Sequence, residues 1–193
     1  MSEKLGSLKA IFNIAADWYK KLNPKGNKQF LAFNPFSTDV KRRWTKAGWV
    51  DLIIGLQQRD ITPIMMVAPN EVSKAEDYIA ELGVESVLVQ SHSPTQLAAI
   101  MKYIKFAVGP ESGFVHLALA ANSPHVIAFY NVLPPKATFP IDDPKHFAVI
   151  QDIPCAPCYL YKAKDVCPHD VLCMKSLSAK TVLDFIDLSV DSP

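Results

Sequence analysis

Long apolar runs are missing from this chain of 193 residues, although nearly half of its residues are hydrophobic. No stretch approaches the roughly 20 apolar residues needed to span a bilayer, which leaves at most peripheral contact with a membrane. A surplus of charge is missing too: 20 basic residues stand against 19 acidic ones. Binding nucleic acid through a general positive field is thereby excluded, though local patches remain open. The opening residues MSEKLGSLKAIF lack the basic-then-apolar pattern of a secretory signal, so the expected location is the cytoplasm. Cysteine is absent everywhere except between positions 155 and 173, where all four occur. That crowding, without an export signal, argues against a secreted disulfide framework. Neither a Walker loop nor a G-x-G-x-x-G fingerprint is present, and no internal repeat or low-complexity tract interrupts the chain.

What is present is alternation. Leu8, Ile11, Phe12, Ala15, Trp18, Tyr19 and Leu22 form a helical stripe that Asn23-Pro24-Lys25-Gly26 terminates. Strands are expected at 29–33, 61–68, 86–90, 106–109 and 125–130, with a weaker one at 147–151. Helices are expected at about 45–58, 71–82, 94–103, from Ser112 onward, and at 181–188. Five rounds of strand and helix imply an α/β fold, a Rossmann-like parallel sheet with helices on both faces. Ligands in such folds sit beyond the carboxyl ends of the strands, so the loops after Phe33, Ala68, Gln90, Gly109 and Tyr130 should line one edge. The loop 131–146, with four prolines, is long enough to form a lid or a contact with another domain.

The stretch VGPESGFVHLALAANSPHVIAF, 108–129, concentrates polar groups where a strand turns into a helix. A helix starting near Ser112 aims its free N–H groups, and about half a positive charge, at that ligand edge. Gly113 allows close backbone approach, Ser112 can cap the helix or donate to a phosphate oxygen, and His116 can meet the same anion. Glu111 repels phosphate when ionised and suits a sugar hydroxyl. The plainer alternative makes Ser112 an N-cap, Glu111 a first-turn acid and His116 a core histidine. Lys41-Arg42-Arg43 is either a solvated run or a phosphate contact beside Ser37 and Thr38. Met65 and Met66 read as strand core.

The motif 108–129 resembles the signature of glycosyltransferase family 9, the heptosyltransferases of lipopolysaccharide synthesis, through Glu111-Ser112-Gly113, His116-Leu117, Ala120 and Pro124. FNPFSTDVKRRWTKAGWVDLI is similar to the family's hydroxyl-bearing loop, K-x-W-P and following helix. CAPCYLYKAKDVCPHDVLCM is similar to its C-x-P-C…C…C-[ML] tail. The resemblance is to the C-terminal, donor-binding half of a two-domain GT-B enzyme. It implies a bridging helix over 1–28 and a nucleotide-sugar-binding domain over 29–193, with a Cys-rich tail at 154–175.

It further implies an ADP-activated heptose as donor and a lipopolysaccharide core-type acceptor. No cofactor is required, the displacement is inverting and metal-independent, and work is done at the inner face of the inner membrane. By motif position, Ser37 and Thr38 hold the diphosphate and Arg42, or Lys41 beside it, neutralises it as it leaves. Ser112, Gly113 and His116 are further diphosphate contacts, Glu111 is the sugar-binding acid, and His92 stands at a nucleotide-base contact. The acceptor-side base is expected from a separate domain or chain. Four positions depart from the pattern: Glu111 replaces aspartate, Arg42 lysine, Thr45 proline and Tyr130 glycine, the last expected to crowd the mouth of the site. An arginine for a lysine substitutes a planar fork for a point charge.

The spacing of Cys155-x2-Cys158, Cys167 and Cys173 also permits a structural zinc or iron held by four thiolates, with His169 as a spare ligand. The alternative is four small buried thiols that pin the tail to the domain.

Overall fold

The computed structural model describes residues 2–85, 87–89, 93–160 and 166–190. Six strands form one parallel sheet: β1 (Gln29–Phe33), β2 (Ile61–Met66), β3 (Val87–Val89), β4 (Phe106–Pro110), β5 (His125–Tyr130) and β6 (His146–Ile150). Their order is β3-β2-β1-β4-β5-β6, and every neighbouring pair is parallel. The strand expected as weak, 147–151, is thus a full member of the sheet, displaced by one residue. The helices are α1 (Ser2–Leu22), α2 (Lys46–Gln57), α3 (Val72–Leu82), α4 (Pro94–Met101), α5 (Gly113–Ala120), the short α6 (Leu172–Lys175) and α7 (Ala179–Val190).

The strands are apolar on both sides because both faces of the sheet are covered. Leu31 and Phe33 point into a core with Trp49, Leu52 and Ile53 of α2 and Val182 and Ile186 of α7. Their neighbours Phe30 and Ala32 point the other way, into a core with Ala15 of α1, Ile100 of α4 and Val115 of α5. Met65 and Met66 divide between the two cores in the same alternating way and are fully buried. On the α1 side, Tyr19 stacks on Tyr103 with ring centroids 4.6 Å apart and meets Phe30 edge-on.

Local chemistry sets where the elements start. Thr45, at the position of the family's proline, accepts from the Gly48 N–H at 3.0 Å and caps α2. Ser93 and Gln96 form a reciprocal capping box at α4, with Pro94 behind the cap.

The chain order runs outward from β1 to β3, then jumps back to β4 beside β1. The two strand ends that diverge there, after Phe33 and after Pro110, open a crevice at the topological switch point. Asn34 fixes that corner: its Nδ2 donates to the Met66 carbonyl at 2.8 Å, its Oδ1 accepts from Phe36 N at 2.8 Å, and its own N–H donates to Val108 at 3.2 Å.

The proline-rich loop is packed down rather than poised as a lid. Pro135–Ala137 forms a 3-10 turn, Phe139 is buried edge-on against Tyr130, and the Tyr130 hydroxyl bonds Thr138 Oγ1 at 2.9 Å. Tyr130 therefore lies beneath this loop, 2% exposed, and does not crowd the crevice. Burial pushes its phenol up to about 12.

Candidate functional site

The crevice at the switch point is a recess of about 720 Å³. Ser37, Thr38 and Arg42 line it from the loop after β1, and Glu111, Ser112, Gly113 and His116 from the corner between β4 and α5. Lys41 does not reach it. A larger recess, about 1100 Å³, lies at the opposite edge of the sheet around Lys28, Asp60, Thr62 and Glu85. That edge holds the amino ends of the strands, away from the loops and helix N-termini that bind ligands in such sheets.

At the β4–α5 corner, Ser112 is extended (φ −164°) and occupies the cap position, yet its side chain makes no cap hydrogen bond. Its Oγ is shielded from solvent and lacks a partner among the described residues. The first N–H groups of a helix have no intrahelical acceptor, so the opening turn of α5 presents unanswered donors here. A Cβ built on Gly113 would meet nothing within 4 Å, leaving open space in front of that turn. Gly109 is a glycine for another reason: a Cβ there would stand 3.0 Å from the Asn34 carbonyl oxygen, where two strand ends converge. The Glu111 N–H is used within the protein, donating to Phe129 at 3.0 Å.

The charged groups are mutually engaged. The Arg42 Nη1 donates to Glu111 Oε2, while Arg42 Nε stands 3.8 Å from Asp39 Oδ2. The His116 Nε2 lies 3.4 Å from Glu111 Oε1. Glu111 is one methylene longer than aspartate, and with it the carboxylate bridges Arg42 and His116.

Below them, Asp39 accepts from Lys41 N at 3.0 Å and pairs with Lys41 Nζ at 3.0 Å, both residues buried. The Lys41 carbonyl accepts from Asn131 Nδ2 at 2.7 Å, and Lys41 borders a second chamber of about 340 Å³ lined by Asn131 and the cysteines. Ser37 shapes the loop, its Oγ accepting from Asp39 N at 3.3 Å and its carbonyl accepting from Arg43 Nε and Nη2 at 2.9 and 2.6 Å.

Several lining residues were not legible as functional. Arg43 stands in a basic run that reads as either solvated or a phosphate contact, with nothing to single it out from Lys41 and Arg42, and Glu71 and Lys74 belong to an ordinary amphipathic helix. Asn34, Phe36, Pro94 and Leu97 also line the recess. Only the periodicity of α3 holds a clue: a helix after β2 must begin at the same edge of the sheet. His92 lies outside the described residues, and the loop after Tyr130 faces the second chamber.

The four cysteines line that second chamber together. Among the described residues, no group of three or more His, Cys, Asp or Glu side chains is placed to hold an ion. Nor are they uniformly buried thiols. Cys173 is buried, and its thiol lies 3.4 Å from Asn131 Nδ2; burial pushes the Cys173 thiol up. Cys155, Cys158 and Cys167 are half-exposed. The tail is pinned chiefly by main-chain bonds, Cys158 N to Asn131 and Tyr159 N to Val132, each 3.0 Å.

Among the described residues no helix is long and apolar enough to cross a membrane.

No curated protein matches the sequence. Solved structures do. A glycosyl transferase family 9 protein from Veillonella parvula DSM 2008 superposes with a TM-score of 0.74 at 13% identity, covering 95% of this chain and 52% of its own. ADP-heptose LPS heptosyltransferase II of E. coli gives 0.67 at 14%, covering 91% and 51%. E. coli heptosyltransferase WaaC, solved with ADP-2-deoxy-2-fluoro heptose, gives 0.60 at 19%, covering 90% and 47%. The chain thus spans about half the length of these relatives, and the superpositions show that it shares the α/β fold of the matching half. The sequence itself matches the family model of glycosyltransferase family 9 (heptosyltransferase) over residues 5–167, and the chain belongs to that family.

Proposed function

We propose that the recess binds an ADP-activated heptose and forms the donor half of a glycosyltransferase acting on a lipopolysaccharide core-type acceptor. One observation carries this reading: the uncapped first turn of α5 faces the recess together with a solvent-shielded Ser112 hydroxyl that has no partner among the described residues. Transfer from a nucleotide diphosphate builds negative charge on the departing phosphate, and fixed N–H donors and cations stabilise that charge without reorganising. Gly113 leaves room for the phosphate, Ser37, Thr38 and His116 border it, and Glu111 takes sugar hydroxyls. Arg42, bonded to Glu111, orients that carboxylate and adds positive potential. No metal is needed in this scheme, and displacement is inverting. A base for the acceptor hydroxyl comes from an acceptor-side domain or chain facing the recess, with residues 1–28 bridging to it and 29–193 acting as the donor unit. Such a protein works in the cytoplasm, meeting its acceptor at the inner face of the inner membrane.

Calorimetry with ADP tests the reading. Micromolar binding that Ser112→Ala weakens about tenfold, the size of one charge-assisted hydrogen bond, is expected. A protein indifferent to ADP ends it. A second reading, a nucleotide-sugar-binding module without catalysis, is favoured by the Arg42–Glu111 ion pair, since the two charged groups expected to act on the donor are engaged with each other. It predicts ADP binding with no release of ADP from ADP-heptose when acceptor and an acceptor-side domain are supplied.

A further inference from the structure

The positive charge in the recess is unevenly committed. Arg42 is bonded to Glu111 and near Asp39, and Lys41 is paired with Asp39 beneath the floor. Arg43 and Lys74 also line the recess, and among the described residues neither forms an ion pair. Arg43 spends two of its five N–H donors on the Ser37 carbonyl, a neutral acceptor that fixes the guanidinium plane without cancelling its charge. The Lys74 ammonium lies 3.7 Å from the centre of the buried Phe36 ring, which holds it over the recess by a cation–π contact. Phe36 is itself braced edge-on by Tyr78 at 5.5 Å.

The two cations act on each other. Partial burial and, next, the Arg43 charge push the Lys74 amine down. The nearby acid, Glu71, pulls it up only as a lesser influence, and its carboxylate accepts from the Ala68 N–H at 3.2 Å. Two like charges that border one recess, neither of them ion-paired among the described residues, are relieved by an anion. The unanswered donors of the α5 turn stand in the same recess. An anion with two phosphoryl groups can engage both sets of donors at once, which a single phosphate does less well.

We propose that Arg43 and Lys74 are the cations that contact the diphosphate of the ligand, and that Arg42 is a positioning residue that holds Glu111. This assignment rests on the donor-site reading for the rest of the ligand, but the diphosphate contact stands by itself. It places one diphosphate-binding cation on the loop after β1 and the other on α3, which closes the recess on the side away from α5.

The test is calorimetry with inorganic pyrophosphate, and separately with ADP, on the full chain. Wild type binds pyrophosphate. Lys74→Gln and Arg43→Gln each weaken it about tenfold, as expected for one charge-assisted contact, and the double variant abolishes it. Arg43→Lys recovers part of the loss. The charge-neutral pair Arg42→Gln/Glu111→Gln weakens pyrophosphate less than Lys74→Gln does. Lys74 is exposed on a helix, so its substitution leaves the fold intact and its result decisive. Pyrophosphate binding without ADP binding removes the donor-site reading and leaves the cation assignment standing. Three results overturn the assignment: no pyrophosphate binding by wild type, unchanged binding by Lys74→Gln and Arg43→Gln, or a greater loss in the Arg42/Glu111 pair.

Discussion

Asp39 holds more of the site together than any single residue named from the sequence. Its carboxylate closes the Val40–Arg42 turn by accepting from Lys41 N, pairs with the buried Lys41 ammonium, and stands beside Arg42. Asp39→Asn keeps the size but removes the carboxylate charge that pairs with Lys41 in a water-poor position. Removing one partner of a buried pair costs about 3 kcal/mol, because the remaining charge stays desolvated. Urea unfolding followed by tryptophan fluorescence should register a loss of that size. A change below about 1 kcal/mol would mean that Lys41 reaches water in solution. Gly109→Ala tests a different constraint. Its new Cβ would press on the Asn34 carbonyl, a backbone atom that the ends of three strands hold in place, and should cost about 1–3 kcal/mol. The same change at Gly113, where space is open, should leave stability within about 0.5 kcal/mol.

Among the elements, β6 is one of the two edge strands, and a histidine ties it on. The Val126 N–H of β5 donates to His146 Nδ1 at 3.2 Å, so that nitrogen must be unprotonated. Burial pushes His146 below its ordinary value, against the pull of Asp143, with His125 and Lys145 pushing the same way as burial. A lowered folded pKa means that the contribution to stability is complete above the unfolded value, about 6.5, and is lost as pH falls through the folded one. His125, also pushed down by burial, adds to the trend. The melting temperature should therefore drop between about pH 7.5 and pH 5. His146→Asn, which keeps an acceptor but cannot charge, should flatten part of that drop. An equal drop in both proteins would show that His146 does not titrate with unfolding.

At the scale of the whole molecule, a single sheet serves two cores, and adjacent residues in β1, β4 and β5 belong to opposite ones. Neither core can be lost without taking the shared strands with it. Ile53→Ala on the α2 side and Ile100→Ala on the α4 side, both fully buried, should each cost about 2–5 kcal/mol. Trp44 and Trp49 both lie in the first core. With Trp18, which packs on the second core, replaced by Phe, their fluorescence should nonetheless report the Ile100→Ala shift at the same denaturant concentration as far-UV circular dichroism. Separate midpoints from the two probes would mean that the two layers melt independently.

Strand and helix positions, the two-faced burial and the edge at which the switch-point recess opens were all legible in the sequence. Each follows from local periodicity and from the rule that a parallel sheet must be covered on both sides. The corner at Glu111 to Gly113 was legible as well, because a polar cluster between an apolar strand and an apolar helix has few other places to go. Three adjacent cations were not: Lys41, Arg42 and Arg43 are consecutive, and a one-residue step around a tight turn swings each side chain in a new direction. Only the folded turn decided that Lys41 goes beneath the floor to Asp39, Arg42 to Glu111 and Arg43 to the recess. Lys74 depended on the same kind of information, since its role is set by Phe36, a residue 38 positions away that the sheet brings opposite to it. Periodicity determines which face of an element is buried, whereas the partner of a charged side chain depends on distances between elements, and those exist only once the sheet has been assembled.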